Sequence, residues 1–306
     1  RAVRAALAGA APINAAVPLI RAIGRVLADT SLDPAFKECL ISFPSENFIA
    51  EQLDAVDPAA LRMARLALRK EVAQALLTDW SGLVSAMQSD EPWSVDLAAA
   101  GRRALRNAAL GWWIESSSPA ATHAASRQFE SADNMTDQAA ALACLVRVGG
   151  DAASAALASF EREYANEPLV MDKWFTMQAT AMRLPGQARV VDRVRELMNH
   201  SAFSIRNPNK VRALITAFCT GNLAEFHAAD GSGYDFWAEQ VIAIDALNPQ
   251  VAARLARALD RWLRFDAARR QLMRAALERV AGHAGLSGDV AEIVGKALGA
   301  FAAGEA

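Results

Sequence analysis

Apolar positions along this chain recur at steps of three and four. Val251, Leu255, Ala258, Leu259 and Trp262 keep that spacing across 249–264, and Val211, Leu214, Ile215 and Phe218 keep it across 209–219. Such a pattern marks a helix with one buried face. Strict apolar/polar alternation is rare, and Ala, Leu and Arg dominate, so local preference is helical almost throughout. The spacing predicts helices over 14–28, 34–42, 45–53, 58–77, 95–115, 119–130, 135–148, 151–165, 169–182, 187–199, 208–219, 232–246, 249–264, 267–282 and 287–301. The stretch 78–94, TDWSGLVSAMQSDEPWS, is the least regular and is expected to be a surface excursion.

Punctuation between these runs is regular. Asp33-Pro34, Asp57-Pro58, Asn207-Pro208 and Asn248-Pro249 each pair a capping side chain with a proline. The cap accepts a free backbone N–H, and the missing proline N–H falls where no hydrogen bond is due. Asn134 with Asp137 three residues on is a further start. Helices of this length joined by tight turns form antiparallel pairs, and stacked pairs form a solenoid. No TPR or ankyrin consensus occurs. The expected fold is therefore all-α, an irregular HEAT-like α-superhelix of antiparallel helix pairs, with residues 1–306 as a single domain.

Charge narrows the partners. Lys and Arg number 32 against 34 Asp and Glu, a net charge of −2, so no overall field draws the chain to nucleic acid or to an anionic membrane. No apolar run reaches the roughly 18 to 20 residues of a membrane helix; the Ala-rich 97–114 region is interrupted by Arg102, Arg103 and Arg106. Cys39, Cys144 and Cys219 are too few and too scattered for a disulfide framework or a zinc ribbon, which points to reduced thiols and a cytoplasmic protein. The opening RAVRAALAGAAP has neither initiator methionine nor signal-peptide core and reads as a segment of a longer polypeptide.

Catalytic chemistry is mostly missing. The histidines His123, His200, His227 and His283 have no partner at metal-ligand spacing, and no H-E-x-x-H, P-loop or G-x-S-x-G is present. The glycine-rich DGSGY at 230–234 follows a helix and reads as a connecting turn. Glu46, Glu51, Asp54 and Asp57 read as caps and solvated helix faces. What remains is basic: Arg254, Arg257, Arg261 and Arg264 step by three and four from the start at Pro249. A helix N-terminus carries partial positive charge and free N–H groups. Arg254 and Gln250 near one start, and Arg212 near the other, have the makings of an anion pocket. By spacing alone, two solvated arginines are the plainer alternative.

Longer phrases identify a family. LVMDKWFTMQA (169–179), FSIRNPNKVRALITAF (203–218), FHAADGSGYDFWAEQVIAIDALNPQVAARL (226–255) and LSGDVAEIVGKAL (286–298) closely resemble the C-terminal domain of bacterial alanyl aminopeptidases, the aminopeptidase N type of zinc exopeptidase. FPSENFIAEQLDAVDPAALRMAR (43–65) and QFESADNMTDQAAAL (128–142) are similar to earlier parts of the same domain.

The resemblance implies a helical superhelix that closes over a catalytic domain. It places the zinc ligands and the reader of the substrate amine in that other domain, so this chain is expected to hold no zinc and to be inactive alone. It also implies that Arg212, Gln250 and Arg254 face the substrate and bind the C-terminal end of a short peptide, the enzyme preferring N-terminal alanine. The implied partners are peptide substrates and the catalytic domain of the same polypeptide. The competing expectation is a stand-alone helical scaffold for a protein partner.

Overall fold

The computed structural model describes residues 2–9, 11–89 and 91–304. These residues are helical with short connections, and their one β-type pairing is an isolated parallel bridge between Val56 and Phe265. No helix among them is long and apolar enough to cross a membrane. The chain divides into two compact units: residues 1–45 with 60–163, and residues 46–59 with 164–306.

The paired caps form as their chemistry requires. Asp33 accepts from the Phe36 N–H, Asp57 from Ala59, Asn134 from Asp137, Asn207 from Asn209 and Asn248 from Val251. Each satisfies one backbone donor that the first helical turn leaves free.

In the first unit, Trp112 of helix Leu97–Glu115 is the centre of the packing. Its indole N–H donates to the Ile41 carbonyl, and its ring stacks on Trp80 with centroids 5.4 Å apart. Trp80 belongs to a helix, Leu77–Ala86, that buries Trp80 and Val84. The expected surface excursion therefore begins only after this helix. Asp79, Ser81 and Gly82 look like turn residues, but an apolar pair four apart outweighs them once it has a surface to cover. Glu115 is largely buried and is held by Arg69 and Arg147 at 3.2 and 2.8 Å. Burial alone would raise its pKa, yet the two guanidiniums hold the carboxyl below the usual range.

The second unit departs more from the expected pattern. The run 208–219 is a short helix Pro208–Val211, a π-turn Arg212–Thr216 and a further turn of helix Ala217–Gly221. The Thr176 hydroxyl donates to the Ala213 carbonyl at 2.9 Å, giving a partner to a group inside the widened turn. Similarly, 249–264 is α-helical only over Pro249–Ala256 and then tightens into two 3₁₀ turns. Trp262 donates to the Ala297 carbonyl at 3.1 Å, and the Arg264 carbonyl accepts from Val56 at 2.8 Å. These tertiary bonds hold the non-α-helical end of the segment in place. The helices Ala2–Leu7 and Leu223–Phe226, too short to announce themselves by period, complete the set of differences.

Candidate functional site

The arginine stripe expected along 249–264 does not exist as one row. Beyond Ala256 the changed helical pitch turns its members onto other tasks. Arg257 pairs with Asp260 at 3.4 Å, Arg261 with Glu51 at 3.1 Å, and Arg264 donates to the Leu53 carbonyl. Arg254 alone of the four stays on the α-helical segment, exposed and without an ion pair among the described residues.

What the second unit does bring together is the two Asn-Pro helix starts. A cavity of about 140 Å³ lies between them, lined by Ile205, Arg206 and Pro208 on one side and by Ile244, Leu247, Asn248 and Val251 on the other. Arg212 stands one turn beyond Pro208 and Arg254 one turn beyond Val251. Side chains on a helix lean toward its N-terminus, a geometry that places both arginines to reach back toward the starts. Arg212 shows this directly, since its Nη1 donates to Asn209 Oδ1 at 3.2 Å. Arg212, Gln250 and Arg254 are all exposed, and none of the three lines the cavity itself.

The guanidinium that does line it is Arg206. It had no periodic signal, because it precedes the cap instead of following it. The one cue in the sequence was its position next to Asn207-Pro208.

The first of the two starts is pinned by a buried cation. Lys210 Nζ lies 2.7 Å from Asp172 Oδ1, donates to the Pro168 carbonyl at 2.7 Å, and sits 5.7 Å from the centroid of the Phe175 ring. The lysine side chain is 6% exposed and its partner 18%. Replacing Lys210 with methionine strands a largely buried carboxylate, and the unfolding free energy is expected to drop by about 2 kcal/mol, discounted for the partial exposure of Asp172. In a urea titration the double variant Lys210→Met with Asp172→Leu should recover most of that loss. Additive losses would show that the pair does not hold this helix start. The second start is anchored at its far end, where Trp237 donates to the Leu255 carbonyl at 3.0 Å.

His227 is buried, stacks on Phe265 at 4.2 Å and has Nδ1 3.0 Å from the Tyr234 hydroxyl. Among the described residues, no group of three or more His, Cys, Asp or Glu side chains could hold a metal ion. The donor set of the described residues therefore does not fit zinc. The cysteines are free thiols; Cys144 and Cys219 are buried, and burial pushes the Cys144 thiol up to about 12, far from a reactive thiolate.

Comparison with known proteins gives a consistent picture. The family described as "Domain of unknown function (DUF3458_C) ARM repeats" matches residues 1–299. Aminopeptidase N of Caulobacter vibrioides is 42% identical over 280 residues, covering 91% of this chain and 32% of that protein. Aminopeptidase N of Escherichia coli is 39% identical over 287 residues, covering 94% and 32%. Among solved structures, that of Legionella pneumophila aminopeptidase A in complex with aspartic acid superposes with a TM-score of 0.81 at 28% identity, covering 94% of this chain and 36% of that one. The chain thus spans about a third of the length of these relatives.

Proposed function

We propose, from the premise that this chain belongs to the DUF3458_C ARM-repeat family and is the C-terminal domain of an aminopeptidase N, that it receives the carboxylate end of short peptides whose N-terminal residue is removed elsewhere in the polypeptide. In this reading the full-length protein is a cytoplasmic, zinc-dependent peptidase that releases N-terminal amino acids, alanine above all. Zinc and peptide-bond chemistry are assigned to the remaining two thirds of the polypeptide, and no residue of this chain takes part in bond cleavage. This domain closes the substrate cavity and supplies its cationic end.

The observation that carries the proposal is the meeting of the two capped helix starts on one cavity. A short peptide has a positive amine at one end and a negative carboxylate at the other. Arg212 and Arg254 each stand one turn in from a cavity-lining residue, placed to reach back toward the opening, and Arg206 stands in its wall. Gln250 in the first turn of the second helix adds an amide donor. Guanidiniums suit a carboxylate because their planar N–H donors match its two oxygens. The Lys210 pair fixes one of the two starts, and the π-turn that begins at Arg212 sets the direction of the chain beyond it.

Substitution of Arg254 by alanine in the full-length enzyme is expected to raise KM for unblocked tripeptides about tenfold, the loss of one charge-assisted hydrogen bond. Alanyl anilides have no carboxylate, so their KM should stay within about twofold. Equal changes for the two substrate classes would refute the carboxylate receptor.

A further inference from the structure

The first unit holds a larger cavity, about 610 Å³, between residues 87–89 and 91–96, the helix Leu97–Glu115 and the corner where helix Pro119–Ser131 meets Met135–Val148. Its lining includes Arg102, Arg103 and Arg106 on the helix Leu97–Glu115, Gln128, Asp133 and Asp137 at the corner, and Glu91 and Asp96 in the segment before the helix. Arg102 is paired with Glu91 at 3.3 Å. Arg103 donates to the Ser94 carbonyl at 2.8 Å and lies over the Trp93 ring.

Arg106 is different. Its side chain is only 17% exposed, and its nearest carboxylate oxygen, Asp137 Oδ2, is 3.8 Å away. That is an ion pair but too long for a hydrogen bond, and Arg106 Nε is buried with no acceptor. Asp137 does not need it, because its oxygens already accept from Asn107 at 2.7 Å and Asn134 at 3.1 Å. Gln128, which also lines the cavity, is 3% exposed. Its Nε2 donates to Asn107 Oδ1 and to the Asp137 carbonyl at 2.7 and 3.0 Å, while its Oε1 is buried and accepts nothing.

A buried guanidinium donor without an acceptor and a buried amide acceptor without a donor thus belong to two residues that line one cavity. An unmade bond at a buried polar group is costly, more so for the charged one, and native interiors leave few such groups unmatched. The charges of the lining decide what can match both. A lone anion drawn to the arginines meets Asp133 and Asp137; a lone cation drawn to the carboxylates meets three guanidiniums. A molecule carrying both charges a few bonds apart satisfies both signs of the lining together and leaves their balance unchanged.

We propose that this cavity binds a free α-amino acid, its carboxylate accepting from Arg106 and its ammonium donating to Gln128 Oε1. The site lies wholly within the first unit, and it stands whether or not the second unit receives peptide carboxylates. Its ligand belongs to the same chemical class as the amino acids that an aminopeptidase would release.

The test is a titration of the 306-residue chain with L-alanine, followed by NMR of the Arg106 Nε–H and the Gln128 carboxamide. Both signals should move and saturate together. N-acetyl-L-alanine, which lacks the ammonium, and L-alaninamide, which lacks the carboxylate, should each bind about tenfold more weakly or worse, as loss of one charge-assisted hydrogen bond requires. The variant Arg106→Lys keeps the charge but loses Nε and should weaken alanine binding to a similar degree. Should that variant fail to fold, the two blocked ligands still decide the matter on the unaltered chain. Absence of saturation, equal binding of all three ligands, or saturation with the Arg106 and Gln128 signals unmoved would each overturn the site.

Discussion

Replacing Gly233 with alanine is expected to lower the unfolding free energy by more than about 3 kcal/mol, the upper range for forcing atoms into a packed interior. A Cβ on Gly233 would fall onto the Phe226 carbonyl oxygen, 2.8 Å from its carbon and 3.1 Å from the Phe226 Cα. These are backbone atoms and cannot rotate away. Relief requires the helix Ser232–Asp245 to move from the short helix Leu223–Phe226, and that joint is packed on every side: Phe226, Tyr234, Phe236 and Trp237 are fully buried around it. Gly150 is the control. It has φ of +72° with nothing within 4 Å of its would-be Cβ, so Gly150→Ala carries conformational strain alone and should cost about 1 kcal/mol. Urea denaturation midpoints compare the two directly. A Gly233→Ala loss no larger than that of Gly150→Ala would mean that the close approach to Phe226 is not rigid.

Stability is expected to fall as pH drops below about 6.5, and His227 to be a principal cause. Burial, with Arg269 nearby, pushes this imidazole down to about 3 from an ordinary 6.5. The folded chain keeps the ring neutral through that window, whereas the unfolded chain takes up a proton. Unfolding is therefore increasingly favoured as pH falls from 6.5 toward 3, and the contribution is constant above 6.5. The shift corresponds to a loss of about 3 kcal/mol by about pH 4. The ring is held by Tyr234 and stacked on Phe265, and the His227 carbonyl accepts from Arg269 at 2.7 Å. His227→Phe retains an aromatic ring and removes the titration. Chemical denaturation at a series of pH values should show a clearly flatter profile for this variant than for the native chain. Parallel profiles would assign the acid sensitivity to carboxylates such as Glu115 and Asp266, whose partners hold them below the usual range.

DGSGY shows how far local reading reaches. As a connecting turn it was legible: Asp230 accepts from the Ser232 N–H and hydroxyl, and Gly231 adopts φ of +74° at the start of the helix. The need for glycine at 233 was not, because it arises from a neighbour seven residues back whose carbonyl approaches only after the two helices pack. The candidate site divides in the same way. Both Asn-Pro starts, and the places of Arg212 and Arg254 one turn inside them, are legible, since a cap and the residues one turn beyond it belong to a single local geometry; a role for the two arginines comes only from the family likeness. Arg206 was not singled out, because the direction of a residue ahead of a cap depends on what the turn packs against. The arginine row is broken by the change from α to 3₁₀ after Ala256, in a segment held by bonds to Val56 and Ala297, which a local pattern does not show.

By itself, then, the sequence determined the helical class, the capped starts at Asp33, Asp57, Asn134, Asn207 and Asn248, and the family likeness, all of which rest on contacts within a turn or on long runs of matching residues. Tertiary structure alone decided where the helices widen or tighten, that Trp80 belongs to the core, that the two Asn-Pro starts share one cavity, and that Arg106 and Gln128 meet around another. The physical reason is range. Capping and periodic burial act within about four residues, whereas cavities and unmatched polar atoms are created by segments that only packing brings into contact.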